Sequence, residues 1–417
     1  MSISMKIIKK FMGLNLSFLL AGSIVACSPL PDLLKRGDTL AAEGKASEAL
    51  AAYAEADKYE KDTVQALCRA GALNLKLKRP DLALKAYEQA LEKVPTSAQA
   101  YMGIARAYLA KGVKATALKA LTQAAKLAPQ DPEPWFLRGM ILKKDGKLNE
   151  ALTMFENAIK RKPRHALAHL RRGDIYFSRG QAKEALRAYK LAVASDPGND
   201  EAVLQIGRTY LLAGKLDKAV ATLQEALAKN RRNPWSLYYL GEALFKKGKT
   251  EKAVVMLTRA LRLNKNLGEA YVLLGNIYEK NLLRKRALDS YIKATKYSPK
   301  LLSGYTNLAR MQLDSKQKKL AQRTLEKALR TNSNCVSCRI LLGRLYLERH
   351  KYKAVVQALE KLVQQDYSNN EAHFYLGQAY AHLGFIEKAT AEYNALAMAN
   401  DSDRANALLK LIQRKSR

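Results

Sequence analysis

A 34-residue pattern of small, apolar and polar positions repeats along the chain from residue 30. A small residue lies in the middle of the first apolar segment of each unit, and the spacing is never interrupted. These residues are Gly37, Gly71, Ala105, Gly139, Gly173, Gly207, Gly241, Gly275, Ala309, Gly343 and Gly377. Ala follows twelve residues later in every unit except at Val355, and again seven residues further on except at Leu362 and Leu396. The period predicts equivalent structural units that stack, because one such unit cannot bury its own apolar face.

Each unit is predicted to form two amphipathic helices joined by a turn. In the fourth unit, Pro132 begins the first helix, Asp145-Gly146-Lys147 form the turn and Pro163 follows the second helix. Gly inside a helix costs about 1 kcal/mol relative to Ala, so its recurrence indicates helices in close contact. We therefore expect an all-α protein with a capping helix over 404–417 that follows helix-turn-helix repeats over 30–403. The repeats begin at residues 30, 64, 98, 132, 166, 200, 234, 268, 302, 336 and 370.

The repeated unit resembles the tetratricopeptide repeat (TPR). The residues that carry the resemblance are an aromatic or apolar residue at position 4, a small residue at 8, Tyr at 11, Ala at 20 and 27, and Pro at 32. Examples are Tyr101, Trp135, Tyr271 and Tyr305 at position 4, Tyr108, Tyr176, Tyr210, Tyr278, Tyr346 and Tyr380 at 11, and Pro95, Pro129, Pro163, Pro197 and Pro299 at 32. The resemblance implies a right-handed superhelical solenoid of eleven repeats. It also implies a concave groove lined by positions 2, 5, 9, 12 and 13 of the first helices, where proteins of this family bind partner segments.

The groove positions of the middle repeats are rich in aromatic and apolar residues. The candidate groove contacts are Phe136, Leu170, Phe177, Leu204, Trp235, Tyr238 and Phe245. Aromatic residues dominate binding energy at many interfaces, so this set predicts apolar capture of an extended or helical peptide. The alternative is that these side chains pack between adjacent first helices. The family's clamp for a C-terminal carboxylate, Lys at position 5 with Asn at 9, is absent, because Val272 precedes Asn276.

The N-terminus has the pattern of a secretory signal peptide. Lys6, Lys9 and Lys10 precede an apolar run over 11–26, which is shorter than the roughly 20 residues of a membrane-spanning helix. The run ends in Ile24-Val25-Ala26-Cys27, which resembles the lipobox of bacterial lipoproteins. The resemblance implies that residues 1–26 are removed, that Cys27 is acylated, and that 27–29 form a short linker to a membrane. Since Ser follows the Cys, it also implies an outer-membrane location facing the periplasm. An uncleaved anchor with an incidental Cys is the alternative.

The chain is strongly basic, with 72 Lys plus Arg against 38 Asp plus Glu and a net charge of +34. Much of this charge recurs at the turn inside each repeat and at the start of the second helix. We call this set the basic ridge: Lys143, Lys147, Lys183, Lys218, Lys249, Arg284, Lys285, Arg286, Lys318 and Lys319. Such a ridge predicts salt-sensitive attraction of acidic polysaccharide or lipid headgroups. A solvated, solubilising surface is the alternative.

The repeats contain few candidates for chemistry. Cys335 and Cys338 form a CxxC, for which a local disulfide, a free thiol pair and a redox site are the possible interpretations. The third lacks the βαβ context of thioredoxin-like proteins. His165 and His169 are four residues apart but lack the Glu of an HExxH motif, so no metal site is expected. No nucleotide-binding motif is present, and the repeats leave no room for a catalytic domain. We therefore expect no enzyme activity and no cofactor.

The combined features predict a non-catalytic interaction scaffold in the bacterial envelope. The pattern resembles outer-membrane TPR lipoproteins that help assemble pili, secretion or export systems, which implies protein partners in the groove and a membrane at the N-terminus. The alternative from another class is a binder of acidic polysaccharide or lipopolysaccharide through the basic ridge. A cytoplasmic nucleic-acid binder would fit the charge, but the predicted signal peptide argues against it.

Overall fold

The computed structural model describes residues 29–60, 63–365 and 367–416. Regular structure in these ranges is entirely helical, which confirms the predicted all-α class. The predicted signal peptide and Cys27 lie outside the described residues. Within the described ranges, no helix combines the length and apolarity needed to cross a membrane.

The chain divides into two compact units, the first ending at Asp196 and the second beginning at Pro197. The first unit contains five helix pairs: α1 (Leu30–Ala42) with α2 (Ala46–Asp57), α3 (Gln65–Lys76) with α4 (Pro80–Lys93), α5 (Ala98–Ala110) with α6 (Lys114–Leu127), α7 (Glu133–Lys144) with α8 (Leu148–Arg161), and α9 (Ala166–Ser178) with α10 (Ala182–Ser195). In each pair the Ala at repeat position 20 is fully buried, as in Ala117 and Ala151. These small side chains let the second helix of each pair pack closely on the first.

The second unit continues the same arrangement. Its pairs are α11 (Asp200–Leu212) with α12 (Leu216–Lys229), α13 (Pro234–Lys246) with α14 (Thr250–Leu263), α15 (Gly268–Lys280) with α16 (Arg284–Tyr297), α17 (Leu302–Asp314) with α18 (Lys318–Thr331), α19 (Val336–Leu347) with α20 (Tyr352–Gln365), and α21 (Asn370–His382) with α22 (Ile386–Met398), followed by α23 (Ser402–Lys415). The larger side chains of Val355, Leu362 and Leu396 are buried in one apolar cluster. They fill the core at these positions.

The final helix α23 packs on both α21 and α22 and buries Ala405, Leu408 and Ile412. It begins at Ser402, two residues earlier than expected, because the Asp401 carboxylate accepts a hydrogen bond from the Arg404 backbone N–H and caps the helix. The arrangement covers the apolar face that α21 and α22 would otherwise expose.

A close contact between two positions sets the spacing inside most helix pairs. In eight of the nine repeats with Gly at position 8, that Gly faces the residue at position 24, as with Gly139 and Phe155, where an added Cβ would lie 2.6 Å from Phe155 Cε1. In the remaining repeat, Gly377 faces Leu408 of α23. The two repeats with Ala at position 8 have Leu at position 24, in the pairs Ala105 with Leu121 and Ala309 with Leu325. Where position 24 is Tyr or Phe, position 8 is Gly, whereas Leu at position 24 occurs with either Gly or Ala, so the larger ring is accommodated only by the smallest residue.

We predict that Gly139→Ala destabilises the protein by about 1–3 kcal/mol, because the added methyl overpacks against the fully buried Phe155. Adding Phe155→Leu should recover part of that loss, since it recreates the Ala and Leu pairing of the third repeat. Urea denaturation of the two single variants and the double variant measures the coupling. Additive losses in the double variant would show that the two positions do not constrain each other.

Candidate functional site

Three aromatic side chains cluster on helix α13 in the second unit. The Trp235 ring lies 5.9 Å from that of Tyr238 and 6.0 Å from that of Tyr239, and the two Tyr rings are 4.9 Å apart. The start of α13 is fixed by Pro234 at its first position and by the Asn233 side chain, which accepts hydrogen bonds from the backbone N–H groups of the next turn. The cluster is therefore held on a rigid, well-capped helix.

An open cleft of about 710 Å³ borders this cluster. Its lining residues include Leu204, Gln205, Arg208, Asn233, Trp235, Tyr238 and Tyr239, together with the carboxylates of Asp200, Glu201 and Glu269. We call this the aromatic cleft. Trp235 is 38% exposed, so part of its ring is accessible at the cleft. The Arg208 guanidinium lies 5.4 Å from the centre of the Tyr239 ring and stacks against the edge of the cluster.

The electrostatics of the aromatic cleft keep its tyrosines protonated. Burial raises the pKa of Tyr238, and nearby Glu242 raises it further. Burial also raises the pKa of Tyr239, against the opposing effect of Arg208. Both hydroxyls remain available as hydrogen-bond donors at neutral pH. The cleft can thus bind apolar and hydrogen-bonding groups.

The structure places the predicted groove residues in different environments. Leu204, Trp235 and Tyr238 meet in the aromatic cleft. Three of the predicted residues are buried and offer little surface to a ligand. Their exposed fractions are 8% for Phe136, 0% for Leu170 and 6% for Leu204. The Phe136 ring packs 5.0 Å from His165 and 5.9 Å from Phe155. For Phe136 and Leu170, these contacts match the packing interpretation.

Two other predicted contacts, Phe177 and Phe245, are not among the residues that line the aromatic cleft. Phe177 is half-buried near the end of α9. Phe245 is half-buried on α13, with the Lys280 ammonium 5.4 Å from its ring. In contrast, Tyr239 and Arg208 line the cleft and were not predicted. Tyr239 occupies position 6, outside the groove positions, although the density of aromatics over Trp235-Ser-Leu-Tyr-Tyr239 was a visible signal.

Part of the basic ridge is used in bonds between neighbouring repeats. The Lys143 ammonium lies 2.6 Å from Asp174, and that of Lys318 lies 3.0 Å from Glu348. Arg284 donates to Ser315 Oγ at 2.9 Å. In each case the partner lies 30 or 31 residues further along, so one repeat bonds to the next. Lys147 pairs with Glu150 at 3.5 Å, and Arg286 lies over the Tyr278 ring at 5.9 Å.

The remaining lysines of the basic ridge are exposed to solvent. These are Lys183, Lys218, Lys249, Lys285 and Lys319, which form no ion pair within the described ranges. Their charge is available to attract anions.

The cysteine and histidine candidates have structural surroundings. Cys335 and Cys338 are joined by a disulfide at the start of α19 and are buried. Burial raises the pKa of the Cys68 thiol to about 12, so this side chain is not a thiolate nucleophile. The His169 ring nitrogen Nε2 lies 2.9 Å from the Pro163 carbonyl oxygen. Across the described part of the chain, no three His, Cys, Asp or Glu side chains are grouped as a metal ion would require.

A bidentate ion pair links α15 to α17 at two groove positions. Arg310 donates to the Glu279 carboxylate at 2.7 and 2.8 Å, and the Tyr291 hydroxyl lies 2.9 Å from Glu279 Oε2. Hydrogen bonds from Arg310 lower the pKa of Glu279, and burial opposes the shift. This pair ties the eighth repeat to the ninth.

Comparison with known proteins identifies the repeated unit. Two family models, both described as tetratricopeptide repeat, match the chain, one over residues 136–200 and 340–405 and the other over 74–141, 176–237 and 211–277. A tetratricopeptide repeat protein from Parabacteroides merdae is similar in structure, with 18% identity and a TM-score of 0.51 over 60% of this chain and 98% of that chain. This likeness supports the fold. No curated protein sequence matches the chain.

Two smaller solved proteins are also similar. YrrB, described as a TPR protein with an unusual peptide-binding site, has 20% identity and a TM-score of 0.37 over 45% of this chain and 96% of that chain. MamA from Desulfovibrio magneticus, from residue 41 to its end, has 26% identity and a TM-score of 0.37 over 41% of this chain and 96% of that chain.

We predict that Glu279 makes stability depend on pH in the acid range. Because its pKa is lowered on folding, its contribution is fully present above the usual carboxyl pKa and is lost as the pH falls through the lowered value. Glu279→Gln should therefore destabilise at pH 7, by about 0.5–1 kcal/mol for a partly solvated pair, and by less at pH 3. Urea midpoints at the two pH values measure this. Exposed Glu225→Gln is the control, and an equal effect of Glu279→Gln at both pH values would contradict the assignment.

Proposed function

We propose that this chain, which belongs to the tetratricopeptide repeat family, is a non-catalytic scaffold that captures a segment of a protein partner in the aromatic cleft. Tetratricopeptide repeat proteins generally mediate protein–protein interactions, and their fold typically serves as an interaction scaffold. The proposal assigns that general role to one place on this chain.

The exposure of Trp235 beside Tyr238 and Tyr239 carries the proposal. A large ring that stays 38% exposed, on a capped helix and at the mouth of an open cleft, provides apolar area that a partner can bury. Trp and Tyr are enriched among the residues that contribute most to interfaces, because they bury large areas at low entropic cost. The Tyr hydroxyls and Arg208 add hydrogen bonds that orient a bound segment.

We propose further that the scaffold is held in the bacterial envelope and helps assemble or localise a multiprotein machine such as a pilus, secretion or export system. The support is the lipobox-like Ile24-Val-Ala-Cys27 sequence after an apolar run. The disulfide between Cys335 and Cys338 is consistent with this location, because disulfides persist in oxidising compartments.

We predict that a photoreactive phenylalanine analogue at Tyr238 crosslinks a specific protein in the native host. The same analogue at Tyr59, which is 49% exposed in the first unit, should not capture that protein. Adding Trp235→Ala should reduce capture at Tyr238 by about 30-fold, because a central aromatic contact is worth about 2 kcal/mol or more. Circular dichroism checks that the variant is folded. Capture of the same proteins from both sites, or capture that is insensitive to Trp235→Ala, would sink the cleft assignment.

We predict that Cys27→Ala releases the protein from the membrane fraction or leaves it with its signal peptide attached, because no thiol remains for acylation. Mass spectrometry of the N-terminus and fractionation of membranes by density measure this. Replacement of the buried Cys68 by Ala is the control for loss of a thiol. If Cys27→Ala is processed and distributed like the unaltered protein, the lipoprotein assignment is wrong.

A further inference from the structure

The turn between α15 and α16 in the second unit presents an apolar side chain to solvent. Leu282 is 90% exposed and its neighbour Leu283 is 43% exposed. Leu282 also has a backbone φ of 59°, in the left-handed region that favours Gly over residues with a Cβ. Leu282 is thus unfavourable for two reasons: its apolar side chain is exposed to water, and its backbone has a conformation that disfavours residues with a Cβ.

The other repeats show what this position normally requires. Repeat position 15 has positive φ throughout, and it is Gly in seven repeats: Gly44, Gly112, Gly146, Gly180, Gly214, Gly248 and Gly384. Where it is not Gly, it is polar, as in Lys78, Lys316 and His350, except at Leu282. Gly would adopt the positive φ at this position without strain, and Lys would place a well-solvated side chain in water. A residue that breaks both rules indicates a selected function rather than a requirement of the fold.

Positive charge surrounds this turn. Arg284, Lys285 and Arg286 follow directly and are exposed, and Lys280 precedes it. Among the nearest acidic residues, Glu279 is engaged by Arg310 and Asp289 by Lys293 at 2.7 Å. In the next turn, to which Arg284 donates a hydrogen bond at Ser315, Lys316 and Lys319 are also exposed. We call residues 280–286 the Leu282 turn.

We propose that the Leu282 turn inserts its two leucines into the surface of an anionic lipid membrane. The leucines would bury apolar area among the acyl chains, while Lys280, Lys285 and Arg286 contact the headgroups. A membrane fits better than a protein, because a protruding turn cannot supply the area of a stable protein interface and the cores of such interfaces are depleted in Lys. The proposal rests on the membrane location proposed above and adds a second, non-covalent contact that would orient the scaffold.

The test reads membrane contact at the turn itself. An environment-sensitive fluorescent amino acid is placed at Leu283 of the full-length chain, which is mixed with vesicles of 30% phosphatidylglycerol that carry a quencher in the acyl region. The matched control is the same probe at Phe385, which occupies the equivalent position, is 53% exposed and follows Gly384. The Lys388 ammonium lies 6.0 Å from the Phe385 ring, but Ile386 and Glu387 stand where Arg284 and Lys285 follow Leu283. We expect quenching at Leu283 and little at Phe385. Equal quenching at both sites, or none at Leu283, would overturn the proposal.

A stability measurement separates function from folding. Leu282→Gly should reduce vesicle quenching at Leu283 about tenfold, through loss of one inserted side chain. It should also raise the urea midpoint, because Gly suits the left-handed backbone. His350→Gly should raise the midpoint as well but leave quenching unchanged. A Leu282→Gly variant that is less stable, or that keeps its quenching, would contradict the proposed role.

A last experiment tests whether membrane binding depends on the positive charge of the turn. Lys285→Gln should weaken quenching about fivefold on anionic vesicles and have no effect on neutral ones, where binding is already low. Lys353→Gln, at the equivalent position two repeats later, should have no effect. Shielding of Leu283 only by an added protein, and never by vesicles, would assign the turn to a protein partner instead. The proposed lipid anchor is tested separately by Cys27→Ala, which changes processing and fractionation but leaves the residues of the Leu282 turn unaltered. A failure of the anchor proposal can therefore be distinguished from a failure of the proposal for this turn.

Discussion

The close approach of two helices at repeat position 8 is the constraint on which the rest of the structure depends. At Gly139 and Gly275 a Cβ would lie 2.6 and 2.4 Å from the facing aromatic ring, so the large side chain at position 24 occupies the space that a side chain would need. The contact fixes the spacing of the helix pairs in which it occurs. The fully buried alanines at positions 20 and 27 allow further close contacts between packed helices. Because the contact recurs at the 34-residue period in most repeats, the same packing is used in both units.

The sequence is sufficient to predict the helical repeats that this contact stabilises, but it does not predict which groove residues are exposed. The helical class follows from the spacing of small and apolar residues, and this spacing is determined by contacts within a repeat. The exposure of groove residues depends instead on how the first helices of adjacent repeats pack against one another. Position 5 is buried at Met102 and Leu170 but partly open at Tyr238 and Val272, although all four are apolar or aromatic. Pattern alone therefore could not separate core from cleft, and it missed Tyr239.

The basic residues likewise fall into two groups, those bonded between repeats and those left exposed to solvent. A net charge of +34 favours a basic surface, yet the structure uses some of its cations to join consecutive repeats, as Lys143 does with Asp174. Such pairs are invisible to local patterns because the partners lie about 30 residues apart. The cations left over, including Lys249 and Lys285, are the ones that can act on other molecules. A count of basic residues overstates the surface that is free to attract a polyanion.

A repeat protein provides its own comparison for judging which residues follow from the fold. Each position is filled eleven times under nearly the same packing, so a residue that departs from its equivalents without a structural need is visible within one chain. Leu282 is such a departure, because it leaves apolar area in water at a position where its equivalents are Gly, Lys or His. Val355 also departs, but it is fully buried and fills the core. The distinction lies in whether the departing side chain is buried inside the protein, as Val355 is, or left exposed, as Leu282 is, and for the exposed side chain we propose a contact outside the chain.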